Sequence, residues 1–83
     1  MAVESVQAAV HRIVADILSV ALETVTDAST FAGLRADDLD MIEIAMQIED
    51  EFKITLEDDA LLHLKTVGEL VVLVEHAAGT PPR

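Results

Sequence analysis

Six aliphatic residues near the N-terminus, Val6, Val10, Ile13, Val14, Ile17 and Leu18, recur at spacings of three and four. That spacing lines one face of an α-helix and scatters over both faces of a strand, so it predicts an amphipathic helix over about residues 4–20. Such a face must be buried against another element. The rest of the chain offers aliphatic partners almost exclusively: 52% of residues are apolar, and the only aromatics are Phe31 and Phe52. Eighty-three residues leave room for one core. These facts predict helices packed on helices in a single all-α domain over residues 1–78. A tail of Gly79-Thr80-Pro81-Pro82-Arg83 follows.

Charge removes several function classes. Five Lys and Arg stand against sixteen Asp and Glu, a formal charge of −11. A nucleic-acid binder needs clustered cations for phosphate contacts, and an anionic membrane surface would repel this chain. With no Cys there is no disulfide framework, thiolate metal site or Cys nucleophile. No apolar run approaches the roughly 18–20 residues of a membrane span, and the N-terminus shows no basic segment leading into an apolar one. The expected location is the cytoplasm. A mean hydropathy of +0.42 also sets the chain apart from acidic disordered tails.

Residues 23–36 are rich in turn and cap formers (Thr26, Asp27, Ser29, Thr30, Gly33), with Val25, Phe31 and Leu34 among them. They predict a long loop held to the core by those three apolar side chains. Asp37-Asp38-Leu39-Asp40 opens a second helix that runs to Phe52 or Lys53, its acids at the favourable end of the helix dipole. Glu57-Asp58-Asp59 starts a short helical turn ending near Leu62. Thr66-Val67-Gly68-Glu69 has the capping-box pattern before a last helix over about residues 67–77.

On a wheel of about 100° per residue, the second helix has two apolar sides. Met41, Ile44, Ala45, Ile48 and Phe52 form the face assigned to the core. Leu39, Ile42 and Met46 form a second stripe nearly opposite, bordered by Asp40, Glu43, Glu49 and Asp50. Residues 37–59 hold ten acids and one base, Lys53. A domain this small has too little material to cover both faces, so the second stripe reads as a docking surface for basic partners. The alternative is that the loop or the tail covers it and the acids form a solvated face.

At these residues the chain resembles the acyl carrier proteins. The likeness rests on Leu34-Arg35-Ala36-Asp37-Asp38-Leu39-Asp40-Met41-Ile42-Glu43, continuing through Met46 to Glu49-Asp50-Glu51-Phe52, and extends over nearly the whole chain. Carrier proteins read Leu-Gly-Ala-Asp-Ser-Leu-Asp here, followed by an acidic helix ending Glu-Glu-Phe. The resemblance implies a small four-helix bundle of three main helices, one short helix and a long first loop. It implies carriage of acyl thioesters on a 4′-phosphopantetheine arm attached to the Ser of Asp-Ser-Leu. It also implies partners with basic surfaces: acyl-processing synthases and transferases, and a phosphopantetheinyl transferase. Carried over by position, the partner contact falls on Asp37, Leu39, Asp40, Ile42, Glu43, Met46, Glu49 and Asp50, in a protein expected to be monomeric.

The attachment position is Asp38. A carboxylate is a poor nucleophile toward the coenzyme A pyrophosphate, and its product would be a labile acyl phosphate. No arm is therefore expected on this chain as written. Either it is a carrier-like protein that works by docking, or it is a working carrier whose Ser has been replaced. Asp38 can serve as the helix cap, or can supply the single negative charge that a phosphodiester on Ser would carry. Arg35 stands where the family usually has Gly, close enough to pair with the Asp cluster.

Other classes fit less well. His11, His63 and His76 lie far apart in sequence, and no nucleophile elbow appears, so an enzyme is not expected. His11 and His76 read as helix-surface residues and His63 as part of the short-helix region. No EF-hand spacing is present, so no metal cofactor is expected, although Glu49–Glu51 or Glu57–Asp59 could bind divalent cations loosely. An untethered lipid-binding bundle, its interior lined by Ile44, Ile48, Leu62 and Val71, is the third reading. Close packing of that interior is the simpler expectation.

Overall fold

In the computed structural model, which describes residues 4–79, the N-terminal stripe forms α1, Val6–Leu18. It is shorter than its periodicity suggests because both ends are locally capped. Ser5 Oγ accepts the Ala8 amide at 3.1 Å, and Ser19 turns left-handed with its amide donating to the Ala15 and Asp16 carbonyls. The stripe is buried as expected, with Val10, Ile13 and Val14 almost wholly inaccessible.

A 3-10 turn, Leu22–Thr24, begins the long connection to α2, Asp38–Phe52. The short α3, Asp58–Leu62, and α4, Val67–Ala77, complete the bundle. α1 packs against both α2 and α4, and α3 packs against α2. Thr66 and Glu69 form the expected capping box: the Glu69 amide donates to Thr66 Oγ1 at 3.2 Å, and Glu69 Oε1 accepts the Thr66 amide at 3.1 Å. The same oxygen accepts the Lys65 amide at 2.6 Å, and these backbone bonds hold the Glu69 carboxyl below its ordinary range.

The long loop is structured by its own packing. Val25 and Phe31 are buried, and Leu34 packs half-buried on the core. Its backbone bonds to the approach and first turn of α4: Phe31 N donates to Lys65 O, Val67 N to Ser29 O, and Gly68 N to Asp27 O, at 2.9–3.0 Å. Glycine favours that approach, since a Cβ on Gly68 would stand 3.0 Å from the Asp27 carbonyl oxygen and the loop would have to give by a few tenths of an ångström. The Asp27 side chain reaches the other way. Its carboxylate takes Gln7 Nε2 and His11 Nε2, each at 2.7 Å, so one residue ties α1, the loop and α4 together.

His11 therefore departs from the surface position expected of it. Its side chain is 17% exposed and held by Asp27, a partner sixteen residues away that helical periodicity does not reveal. His76 is exposed, as expected, and His63 caps the C-terminal end of α3, in the short-helix region as expected, and is exposed too.

The core is aliphatic, with Ile13, Ile44, Ile48, Leu70 and four valines fully enclosed. Ile44, Ile48 and Val71 lie in it. Leu62, assigned above to the interior, does not. It is 60% exposed, and its neighbour Leu61 is buried instead, because the single turn of α3 presents only one of two adjacent leucines to α2. Residues 80–83 of the expected tail lie outside the described residues.

Candidate functional site

α2 is about 22 Å long at 1.5 Å per residue and divides cleanly. Met41, Ile44, Ala45 and Ile48 are buried, and Phe52 packs half-buried beside them. On the other side Leu39 (62% exposed), Ile42 (51%) and Met46 (62%) remain open, three of the six large apolar side chains that the described residues leave exposed. No described part of the loop covers them. A depression of about 210 Å³ lined by Met41, Ile42, Asp58, Leu61 and Leu62 lies on the α3 side of this stripe. A second depression, of about 500 Å³ and lined by Ile17, Glu43, Met46, Gln47 and Asp50, lies on the α1 side.

The acids around the stripe do different work. Asp37 is the N-cap: its Oδ1 accepts the Asp40 amide at 2.8 Å, while Asp40 Oδ2 accepts the Asp37 amide at 3.1 Å. This reciprocal box corrects the assignment of the cap to Asp38. In a run of two aspartates the cap falls to the one with extended backbone, and that is Asp37, at φ −97° and ψ −178°. Asp38 is already the first helical residue. It is exposed, and its carboxylate has neither a hydrogen bond nor an ion pair among the described residues.

Glu49 is half-buried and its Oε2 accepts the Leu56 amide at 2.8 Å, pinning the chain that leaves α2. Glu51 is drawn across to α1, where Arg12 bridges it to Glu4. Arg12 donates from Nε and Nη2 to Glu4 at 2.9 Å and from Nη2 to Glu51. The Glu4 hydrogen bonds, and then those of Glu51, hold Arg12 still more firmly protonated, while Arg12 draws Glu4 below the ordinary carboxylate range. Glu49 and Glu51 are thus committed in different directions, so the Glu49–Glu51 run, one of the two places considered above for loose divalent-cation binding, does not converge on one point. Among the described residues no three His, Asp or Glu side chains converge to hold a metal ion. Glu43 and Asp50 stay at the surface, Asp50 only 3.9 Å from Lys53 in a pair so exposed that it adds little.

Arg35 does not close onto the Asp cluster and is absent from the ion pairs of the described residues. Its backbone explains why glycine suits the position: φ is +63°, in the left-handed region.

The sequence model described as "Phosphopantetheine attachment site" matches residues 8–74, most of the chain. The acyl carrier protein of Phenylobacterium zucineum (strain HLK1) is 39% identical over 71 residues, covering 84% of this chain and 90% of that one. That of Caulobacter vibrioides (strain NA1000 / CB15N) is 41% identical over 66 residues, covering 78% and 85%. Acyl carrier protein AcpP of Rhizobium meliloti (strain 1021) is 41% identical over 69 residues, covering 82% and 88%.

The chain belongs to the acyl carrier protein family. Members are carriers and not enzymes, built around 4′-phosphopantetheine, and they work with acyl-processing enzymes such as synthases and transferases. Fatty acid biosynthesis is a setting that fits the family. No helix among the described residues is long and apolar enough to cross a membrane.

The chemistry of the donor set does not fit the arm. Attachment needs a hydroxyl at the start of α2, and residues 31–54 contain neither Ser nor Thr. Ser29 and Thr30 lie upstream in the loop, Ser29 Oγ bonded to the Thr26 amide at 2.9 Å and Thr30 Oγ1 to the Gly33 amide at 2.9 Å.

Several connections escaped the sequence: the Asp27 clip with Gln7 and His11, the Arg12 bridge to Glu51, and the Glu49 staple. Each joins residues too far apart, or too ordinary in type, to stand out in a periodic pattern.

Proposed function

We propose that this protein is a carrier-family docking protein that acts without a phosphopantetheine arm. The observation that carries the reading is the state of the α2 N-terminus. The residue at the attachment position is an exposed carboxylate, Asp38, at the head of an open apolar stripe with an acidic border. The partner contact comprises Leu39, Ile42 and Met46 as its apolar centre. Glu43 and Asp50 are its exposed acids, and Asp37, Asp40 and Glu49 contribute charge from carboxylates already tied to backbone. Burial of the stripe supplies the affinity, and the acids orient basic surfaces of synthases or transferases. The domain is residues 1–78, acting as a monomer in the cytoplasm.

The test is incubation of the parent and of Asp38→Ser with a promiscuous phosphopantetheinyl transferase and coenzyme A, read by intact mass. The parent is expected to gain nothing and the Ser variant to gain one arm. A gain on the parent overturns the reading and makes this a working carrier. No gain on a folded Ser variant places the recognition surface outside the carrier pattern.

A further inference from the structure

Asp38 is the one acid in the first turn of α2 that has no hydrogen bond or ion pair among the described residues. Asp37 and Asp40 satisfy the helix start between them, and the box closes whatever residue stands at position 38. Position 38 nevertheless carries a negative charge, immediately before Leu39, where the apolar stripe begins.

The chemistry of the family says what that charge resembles. A phosphodiester on a serine carries one negative charge. An enzyme that receives a loaded carrier must meet that charge with a cation or with backbone amides, or else bury it unpaired. Such an enzyme is equally ill served by a neutral residue there, because its own cation then loses its partner on docking. Counted outward from Cα, the carboxylate oxygens of Asp stand where the phosphorus of the phosphodiester would stand. They fall one bond short of its charged oxygens.

We propose that Asp38 imitates the charge of the phosphodiester, so that this protein occupies the carrier site of arm-accepting enzymes as a competitor that delivers no cargo. The proposal rests on the docking reading above and specifies how that surface is regulated. The partner site is one that pairs a cation with the arm's phosphodiester and accepts the α2 stripe beside it. Because this chain holds nothing to enter the channel beyond, its binding blocks turnover.

Competition against a carrier-using synthase tests it. The probe is a condensing synthase of Phenylobacterium zucineum, assayed with that organism's acyl carrier protein in its phosphopantetheinylated, acylated form. The parent is expected to inhibit competitively. Asp38→Asn and Asp38→Ser, shown to be folded by thermal unfolding, should raise the inhibition constant about fivefold at low salt, the upper end for one exposed charge pair. The gap should narrow as salt screens the pair. Asp38→Glu places its carboxylate oxygens level with the phosphate oxygens and should inhibit at least as well as the parent. If the Asn and Ser variants inhibit as strongly as the parent, charge imitation is wrong and the docking reading stands. If neither the parent nor any variant competes, both fall.

Discussion

Replacing Arg35 by glycine is expected to stabilise the protein by about 0.5–1 kcal/mol, and the figure follows from the backbone. Arg35 sits at φ +63°, where a Cβ crowds the following carbonyl at a cost of about 1–2 kcal/mol. Glycine removes that crowding but widens the unfolded ensemble, which costs about 0.4–1 kcal/mol. The side chain has little to lose, since it is exposed and unpaired among the described residues. The Arg35 amide keeps its 3.1 Å bond to the Ala32 carbonyl in either case. For a domain of this size the gain is a rise of about 3–6 °C in Tm. Arg35→Ala is the matched control: it loses the same charge and keeps the Cβ. Thermal and urea unfolding of the three proteins should rank glycine above both the parent and alanine. A glycine variant no more stable than the alanine variant would refute the backbone argument, and an equal rise in both would assign the effect to charge.

Two further outcomes follow from the geometry. Ile48 and Met46 lie two residues apart on α2, one enclosed and the other 62% exposed. Ile48→Ala should cost about 2–5 kcal/mol in urea unfolding, whereas Met46→Ala should stay within about 0.5 kcal/mol and weaken competition in the synthase assay. The Glu69 carboxyl is held low by the Lys65 and Thr66 amides. The native state therefore releases that proton more readily than the unfolded chain, so its contribution is fully present above the unfolded value of about 4.3 and is lost as pH falls through the lower folded value. Glu69→Gln should flatten that part of the acid limb of a Tm-against-pH curve, and an unchanged limb would contradict the assignment.

Much of this was legible in the residues. The α4 capping box was readable because Thr66 and Glu69 carry the pattern within four positions. The two faces of α2 were readable because helical geometry fixes which side chains share a side. The cap of α2 was not. Asp37 and Asp38 are chemically equivalent, and the choice between them is made by the chain entering the helix. There the buried Phe31, through its carbonyl, holds the Ala36 amide at 2.9 Å. Leu61 and Leu62 pose the same difficulty: a helix of one turn has too few residues to declare a face.

The sequence alone determined the helices, the second apolar stripe and the absence of any side-chain hydroxyl from residues 31–54. These are matters of residue type and of spacing within a turn or two. Tertiary structure decided which acids remain available. It drew Glu51 to Arg12 across thirty-nine positions and turned Glu49 to the Leu56 amide. It set Asp27 between Gln7, His11 and α4, and left Asp38 without a partner among the described residues. A carboxylate's charge is read from its letter, but its availability depends on which donors the fold brings near it, and those come from elements far away in the chain.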